Sequence, residues 1–165
     1  MKRLVLVRHA KAVQWGYDDD FNRELTERGE SDAARVSHHL GTLGIIPDSI
    51  ISSPASRALQ TAEIFSGKLN FPRKKLLENK ELYHGLTTGE LIDLVHALPE
   101  DSNCVFFFGH NPSFEFYARG LSNSFHGEMT TSSSVVIDFD VNRWNEVTAR
   151  SGRVFGQYNP KEIPV

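Results

Sequence analysis

Short runs of apolar residues alternate along this chain with longer segments in which apolar residues recur every three or four positions. The short runs predict strands, and the longer segments predict amphipathic helices. Strands are expected at residues 3–7, at 49–51, near 75–77 and in the continuous apolar run CVFFF at 104–108. Because CVFFF has no polar face, it is typical of a strand that is buried on both faces of a mainly parallel sheet.

Helices are expected between these strands. The first begins after Thr26, a suitable N-cap residue, and another spans about residues 89–98. Serine precedes proline at 53–54 and asparagine precedes proline at 111–112, and this combination of a capping residue with proline predicts that a helix begins at each proline. The regular alternation of strands and helices predicts an α/β fold.

The last third of the chain contains two further apolar segments, SSVVIDFD at 133–140 and WNEVTA at 144–149. They predict two strands that meet at a turn near Asn142 and pair antiparallel at an edge of the sheet. With 165 residues, the chain is long enough for one domain, residues 1–165, and too short for two domains of ordinary size.

The charge of the chain argues against a general affinity for polyanions. Its formal net charge is −3 and its pI is near 6.2, so neither nucleic acid nor an anionic membrane is an expected partner. The single cysteine, Cys104, cannot form an internal disulfide, and the first apolar run is too short for a signal peptide. These features predict a cytoplasmic protein that binds any anion through local groups.

Polar residues follow three of the expected strands at the point where each strand ends. His9 follows the first strand, Arg57 lies in the first turn of the helix after the second, and His110 follows CVFFF. Because the carboxyl ends of parallel strands meet at one edge of a sheet, these residues are expected to line one crevice. The beginnings of the two helices after 53 and 111 would direct backbone N–H groups into it. The sequence therefore predicts an anion site.

The residue types in this crevice suit phosphoryl transfer. Arg8 and Arg57 carry forked donors that match phosphoryl oxygens, and His9, unprotonated on one nitrogen, is a competent nucleophile toward phosphorus. Taken singly, each motif also fits a plain strand end, a helix start or a turn, and only their joint position favours a site. No pair among the seven histidines has a zinc-ligand spacing with a supporting Cys or carboxylate, so no metal and no other cofactor is expected.

Four segments, LVRHAKA, DFNRELTERG, SSPASRALQTA and FFFGHNP, occur in this order and resemble the motifs of the histidine phosphatase superfamily, also called the phosphoglycerate mutase-like family. The chain is most similar to the short SixA-type phosphohistidine phosphatases, in which RHA is followed by KA. The resemblance implies a three-layer sandwich in which helices flank a mostly parallel sheet. It also implies that His9 becomes a phosphohistidine intermediate, while Arg8, Arg57 and His110 surround the phosphoryl group.

Glu81 and Arg23 are candidates for two further roles, proton donation to the leaving group and contact with the substrate. Many members of the family protonate their leaving group with a carboxylate after the third strand, and Glu81 of NKELYHG is the matching position. An exposed loop glutamate is the alternative, and phosphohistidine needs little acid catalysis because its leaving group is good. The loop VQWGYDDDFNRE carries Trp15, Tyr17 and Arg23 beside the nucleophile, and of these Arg23 is the one expected to contact the substrate.

The sequence thus predicts a phosphatase that works through a covalent phosphohistidine and acts on phosphohistidine in proteins. One alternative is a phosphomonoesterase for a small phosphorylated metabolite, and another is a non-catalytic module that binds a phosphorylated ligand. The stretch between Arg57 and His110 already holds a strand and a helix, which leaves little sequence for a lid. An open crevice favours a phosphorylated protein as partner over a small molecule that must be enclosed.

Overall fold

The computed structural model describes residues 1–16 and 19–164 of the chain. Within them, six strands form one sheet: β1 (Lys2–Arg8), β2 (Ser49–Ser52), β3 (Leu77–Glu78), β4 (Cys104–Gly109), β5 (Ser134–Phe139) and β6 (Arg153–Tyr158). The strand order is β3-β2-β4-β1-β5-β6, in which β1 to β4 run parallel and β5 is antiparallel to both of its neighbours. The predicted mostly parallel sheet is confirmed.

The described residues also form five α-helices: α1 (Glu27–Thr42), α2 (Ser56–Lys68), α3 (Glu81–His84), α4 (Thr88–His96) and α5 (Ser113–Leu121). Thr26 caps α1 as predicted, and its hydroxyl accepts a hydrogen bond from the backbone N–H of Gly29 at 3.0 Å. None of the helices in the described part of the chain is long and apolar enough to cross a bilayer.

Helices cover both faces of the sheet. Along β1, Val5 and Val7 point to one face, where they pack with α1 and α2, and Leu4 and Leu6 point to the other, where they pack with α4 and α5. Successive residues of CVFFF divide between the same two clusters, so the continuous apolar run follows from burial on both faces. The predicted α/β sandwich of three layers is confirmed.

The prediction that α2 begins at Pro54 with Ser53 as its cap is wrong. α2 begins at Ser56. Its N-cap residue is Ala55, whose methyl group cannot accept a hydrogen bond from the helix end. The hydroxyl of Ser53 accepts a hydrogen bond from the backbone N–H of Ala55 at 3.3 Å and also forms a 2.8 Å hydrogen bond with Nε2 of His110. Ser53 thus lies before the helix and joins its approach to His110.

The prediction that α5 begins at Pro112 with Asn111 as its cap is wrong in the same way, because α5 begins at Ser113. The side-chain amide of Asn111 donates to Oε2 of Glu115 and to the backbone carbonyl of Met129, at 2.8 Å in each case. Asn111 thus joins the start of α5 to the segment that precedes β5.

Two other boundaries differ from the pattern of the sequence. The third strand lies at Leu77–Glu78, because Arg73–Lys75 form a single 3-10 turn before it. α4 ends at His96 instead of continuing to residue 98, and it begins with a capping box between Thr87 and Glu90.

The segment WNEVTA does not form the predicted strand. Its first residues, Trp144–Glu146, form a 3-10 turn in which Trp144 is fully buried and its indole N–H donates to the carbonyl of Ser102 at 2.8 Å. The antiparallel pair predicted at the sheet edge exists, but its second strand is β6. No residue of β6 is fully buried, and Gly156 leaves a position without a side chain, so the sequence offers a weak strand signal there.

We expect Gly29→Ala to destabilise the protein by about 1–3 kcal/mol, the usual cost of overpacking. A Cβ at Gly29 would overlap the backbone carbonyl oxygen of Lys11, which cannot move aside as a flexible side chain does. Urea unfolding measures the loss. Gly67→Ala is the matched control, since Gly67 also lies in a helix and a Cβ there meets nothing within 4 Å. Equal effects of the two changes would contradict the close approach of α1 to Lys11.

Candidate active site

His9 and His110 lie side by side because the strands that carry them are neighbours. β1 and β4 are parallel and in register, with Arg8 opposite Gly109, so the next residue of each strand leaves the sheet at the same edge. The two imidazole centroids are 5.3 Å apart. The predicted meeting of strand ends thus occurs at the centre of the sheet.

Arg57 reaches the same point from the second position of α2. Thr61, one turn further along α2, accepts a hydrogen bond from the backbone N–H of Ala10 at 2.9 Å and donates to the carbonyl of Arg57 at 2.7 Å. This hydroxyl ties the residue after His9 to the turn that carries Arg57. The TA of the motif SSPASRALQTA therefore has a positioning role.

The protonation state of His9 follows from its contacts. Nδ1 lies 2.7 Å from the carbonyl oxygen of Ala10, which can only accept a hydrogen bond, so Nδ1 carries the proton. Nε2 is left with a lone pair, and Nε of Arg57 donates toward it across 3.4 Å. The imidazole is thus fixed as the tautomer whose Nε2 is nucleophilic.

Both histidines are held in the neutral form. Burial is the main cause that lowers the pKa of His9 to about 3. The neighbouring His110, Arg57 and Arg8 lower it further, while the bond to Ala10 opposes the shift. Burial also lowers the pKa of His110 to about 4, again with help from Arg57. The nearby guanidinium groups thus disfavour an imidazolium at His9, but burial is the larger cause.

Two buried nitrogen atoms in the site have no hydrogen-bond partner in the described part of the chain. One is Nε of Arg8, whose Nη1 donates to the carbonyl of Met129 at 3.0 Å. The other is Nδ1 of His110, whose Nε2 is bonded to Ser53. Buried polar atoms are nearly always paired, so a pair of free nitrogens at the edge of one cavity indicates a place for a ligand.

Asp20, which the sequence did not single out, is central to the site. Its Oδ2 accepts from Nη2 of Arg57 at 2.8 Å and from the hydroxyl of Tyr83 at 3.1 Å, and its Oδ1 accepts from Nε and Nη2 of Arg23 at 3.1 and 2.9 Å. Nη1 of Arg57 also donates to the backbone carbonyl of Asp20 at 2.7 Å. Burial opposes ionisation of Asp20, but the bonds from Arg23, Arg57 and Tyr83 hold its pKa at about 2.

All three nitrogens of the Arg57 guanidinium group therefore face a partner. Its terminal nitrogens face Asp20, while Nε faces Nε2 of His9. Because the carboxylate and the backbone carbonyl of Asp20 accept from both terminal nitrogens, Nε is the nitrogen of Arg57 that is directed at His9. Asp20 is a positioning residue, and its signal in the sequence is the spacing of Asp20 and Arg23 in DFNRE, which a 3-10 turn brings together.

Tyr83 is the second residue that the sequence analysis missed. Besides its bond to Asp20, its ring lies edge-on to His110 with centroids 5.4 Å apart. It belongs to ELYHG, the segment in which Glu81 was the candidate acid.

Arg23 and Glu81, the other two candidates, differ in their position relative to the cavity. Arg23 lines the cavity and also donates to the carbonyl of Val13 at 3.0 Å. Glu81 begins α3 as an exposed residue and is not among the described residues that line the cavity. Trp15 is 84% exposed, and Tyr17 lies outside the described residues. The role of Glu81 as an acid stays a prediction.

The cavity has a volume of about 550 Å³, and Ala12 is the one apolar residue among the described residues that line it. Within residues 1–16 and 19–164, no three His, Cys, Asp or Glu side chains group together as a metal site would require. The lining residues are Arg8, His9, Lys11, Ala12, Gln14, Asp20, Arg23, Arg57, His110, Asn111 and Thr131.

Comparison with known proteins assigns this site to a family. Residues 4–112, which include His9, Arg57 and His110, match the model of the histidine phosphatase superfamily, branch 1. The chain belongs to the histidine phosphatase superfamily. It is a phosphatase, and the resemblance inferred from its motifs is confirmed.

Two curated relatives are similar in sequence to this phosphatase. An uncharacterized chloroplastic protein of Arabidopsis thaliana is 30% identical over 163 residues, which cover 92% of this chain and 72% of that protein. The mitochondrial serine/threonine-protein phosphatase Pgam5 of Drosophila willistoni is 28% identical over 136 residues, which cover 82% of this chain and 45% of that protein. The phosphatase thus matches less than half of the length of this Pgam5.

Solved structures share the fold. The protein histidine phosphatase SixA, in complex with tungstate, superposes with a TM-score of 0.83 at 23% identity, over 96% of this chain and 97% of that chain. A mycobacterial glucosyl-3-phosphoglycerate phosphatase superposes with a TM-score of 0.69 at 17% identity, over 96% of this chain and 99% of that chain. The fold of the phosphatase is therefore phosphoglycerate mutase-like.

We expect Asp20→Asn to lower kcat for p-nitrophenyl phosphate by about 10- to 100-fold, because a small misplacement of a group at the reacting centre has an effect of this size. The amide keeps the shape of Asp20 but loses the charge that holds Arg57. Asp19→Asn is the matched control, since Asp19 caps the adjacent 3-10 turn and asparagine caps equally well. Equal kcat in the two variants would refute the positioning role of Asp20.

We also expect His9 to stay neutral in mild acid. Because its pKa is about 3, Nε2 should keep its lone pair at about pH 5, where an imidazole of ordinary pKa is mostly protonated. Nitrogen NMR of histidine-labelled protein measures this, and the His9→Gln variant assigns the signals. Titration of His9 near its ordinary pKa of about 6.5 would contradict the environment described here.

Proposed function

We propose that this phosphatase hydrolyses phosphohistidine in proteins through a covalent phosphohistidine intermediate on His9. The observation that carries the proposal is the geometry of one atom. Nε2 of His9 holds a lone pair, its ring is fixed by the bond from Nδ1 to Ala10, and Nε of Arg57 faces it across 3.4 Å.

The reaction has two transfers at phosphorus. In the first, Nε2 of His9 attacks the phosphoryl group, the bond from phosphorus to the substrate nitrogen breaks, and the substrate imidazole leaves with the electron pair and takes a proton from water. In the second, a water molecule attacks the same phosphorus, the bond to Nε2 breaks, and inorganic phosphate leaves while Nε2 regains its lone pair. The proton that the attacking water gives up neutralises the hydroxide left by the first transfer. The 3.4 Å gap to Arg57 is longer than an ordinary hydrogen bond, so a phosphoryl oxygen would replace this weak contact with a stronger one.

The remaining contacts come from nitrogens that lack a partner within the described chain. Nε of Arg8 and Nδ1 of His110 border the cavity, and both can donate to phosphoryl oxygens if the hydroxyl of Ser53 donates to Nε2 of His110. Such preformed donors stabilise the charge that develops on the transferring group without reorganising water. Arg8, Arg57 and His110 thus bind the phosphoryl group in this proposal.

Among the described residues, no carboxylate that lines the cavity is suited to donate a proton, and this supports phosphohistidine as the substrate. Asp20 is the one carboxylate among the described residues that line the cavity, and its pKa of about 2 keeps it ionised near neutral pH. An alkoxide leaving group needs a proton donor, whereas the imidazole of phosphohistidine is a much better leaving group. The site therefore suits a phosphorus–nitrogen bond better than a phosphate ester.

The named relatives support a phosphorylated protein as partner. SixA is a protein histidine phosphatase, and Pgam5 is a serine/threonine-protein phosphatase, so both act on protein-borne phosphoryl groups. The names of these two relatives differ in the phosphorylated residue, which is histidine for SixA and serine or threonine for Pgam5. No metal or cofactor takes part in the proposed steps, and the single domain and the cytoplasmic location remain predictions.

We expect the purified protein to hydrolyse a phosphohistidine peptide with a kcat/KM at least about tenfold above that for a phosphoserine peptide or a sugar phosphate, the factor set by about 1.4 kcal/mol of barrier. Rapid quenching with a radiolabelled phosphohistidine donor should place the label on the peptide that contains His9. The bond to nitrogen is labile in acid and survives base.

His9→Ala should abolish label and turnover, and Arg57→Lys should lower turnover because an ammonium group cannot replace the fork. Label on the peptide that contains His110, or full activity of His9→Ala, would overturn the mechanism. A higher kcat/KM for the phosphoserine peptide or the sugar phosphate would overturn the substrate assignment while leaving the mechanism intact.

A further inference from the structure

A second, smaller cavity adjoins the active-site cavity. Its volume is about 180 Å³, and it shares Lys11 and Thr131 with the larger one. Arg28 at the start of α1 and Lys161 also line it. A group bound there would lie beside a phosphoryl group bound to His9.

The charge in this smaller cavity is positive although the whole chain carries a net charge of −3. The ammonium groups of Lys11 and Lys161 are exposed and have no hydrogen bond or ion pair with any described residue. The carboxylate of Asp32 also lines the cavity, but it is bonded to Arg35 at 2.8 Å and lies 3.7 Å from Nε of Arg28. Three cationic side chains therefore face one carboxylate that another arginine already neutralises.

The backbone fixes the position of Lys11 between the two cavities. Its carbonyl oxygen accepts from the backbone N–H of Thr26 at 2.9 Å and from the Thr26 hydroxyl at 3.3 Å. The start of α1 packs so closely there that only glycine fits at position 29. The side chain of Lys11 thus starts from a fixed backbone position between the two cavities.

We propose that this smaller cavity binds an acidic side chain that lies next to the phosphorylated residue of a protein substrate. The inference rests on the proposed function and adds a preference for acidic sequence around the phosphoryl group. The cationic groups are exposed, so a bound carboxylate would keep part of its hydration, as a side chain on a protein surface does. An enclosed small molecule would instead lose most of its water.

The test compares two phosphohistidine peptides that differ only at the residues beside the phosphohistidine, which are glutamates in one and glutamines in the other. We expect the glutamate peptide to have the lower KM, by about two- to fivefold per paired charge, the range for exposed ion pairs. Added salt should remove this difference, because the charges are exposed to solvent.

Lys161→Ala should reduce the preference, and Lys161→Glu should reverse it. Lys74→Ala is the matched control, since Lys74 is an exposed lysine outside both cavities and its loss should leave the preference as in the unchanged protein. Equal KM values for the two peptides, or a preference that survives Lys161→Glu, would overturn this inference alone. Hydrolysis of p-nitrophenyl phosphate without turnover of either peptide would overturn the proposed function, and this inference with it.

Discussion

The active site depends on the orientation of one guanidinium group, that of Arg57. Its planar fork can serve two partners at once only if each edge faces a different group, and the protein achieves this with Asp20 at the terminal edge and His9 at Nε. A rotation of this side chain would move both contacts together. A single planar group thus contacts residues from the loop before α1 and from the end of β1, while the first turn of α2 holds it in place.

The same arrangement solves an electrostatic problem. A nucleophilic imidazole must stay neutral, yet a phosphoryl site needs positive charge nearby. Burial is the main cause that keeps His9 and His110 neutral, and in the proposed mechanism the arginines supply the positive charge that binds the anion. Asp20 balances part of the charge of Arg23 and Arg57 without blocking the edge of Arg57 that faces His9.

Features governed by strand ends could be predicted from the sequence, and features governed by loops could not. His9 and His110 follow apolar runs whose burial fixes their place in the sheet, so their meeting could be expected. Asp20 and Tyr83 meet through a 3-10 turn and a helix of one turn, whose positions no periodic pattern reveals. Ser53 shows the converse failure, because it lies before the first turn of α2, and its hydroxyl is shared between the backbone N–H of Ala55 and the His110 ring.

The two hydrogen bonds of the Thr61 hydroxyl, one to Ala10 and one to Arg57, affect the cooperativity of the molecule. It joins Ala10 to a residue 51 positions away, and the same hydroxyl holds the turn that carries Arg57. If α2 separated from the sheet by local unfolding, the residue after His9 would lose its bond to Thr61, and His9 would lose Arg57, in one event while the rest of the sheet stayed paired. In the proposed mechanism, turnover would therefore report on the docking of α2 against the end of β1.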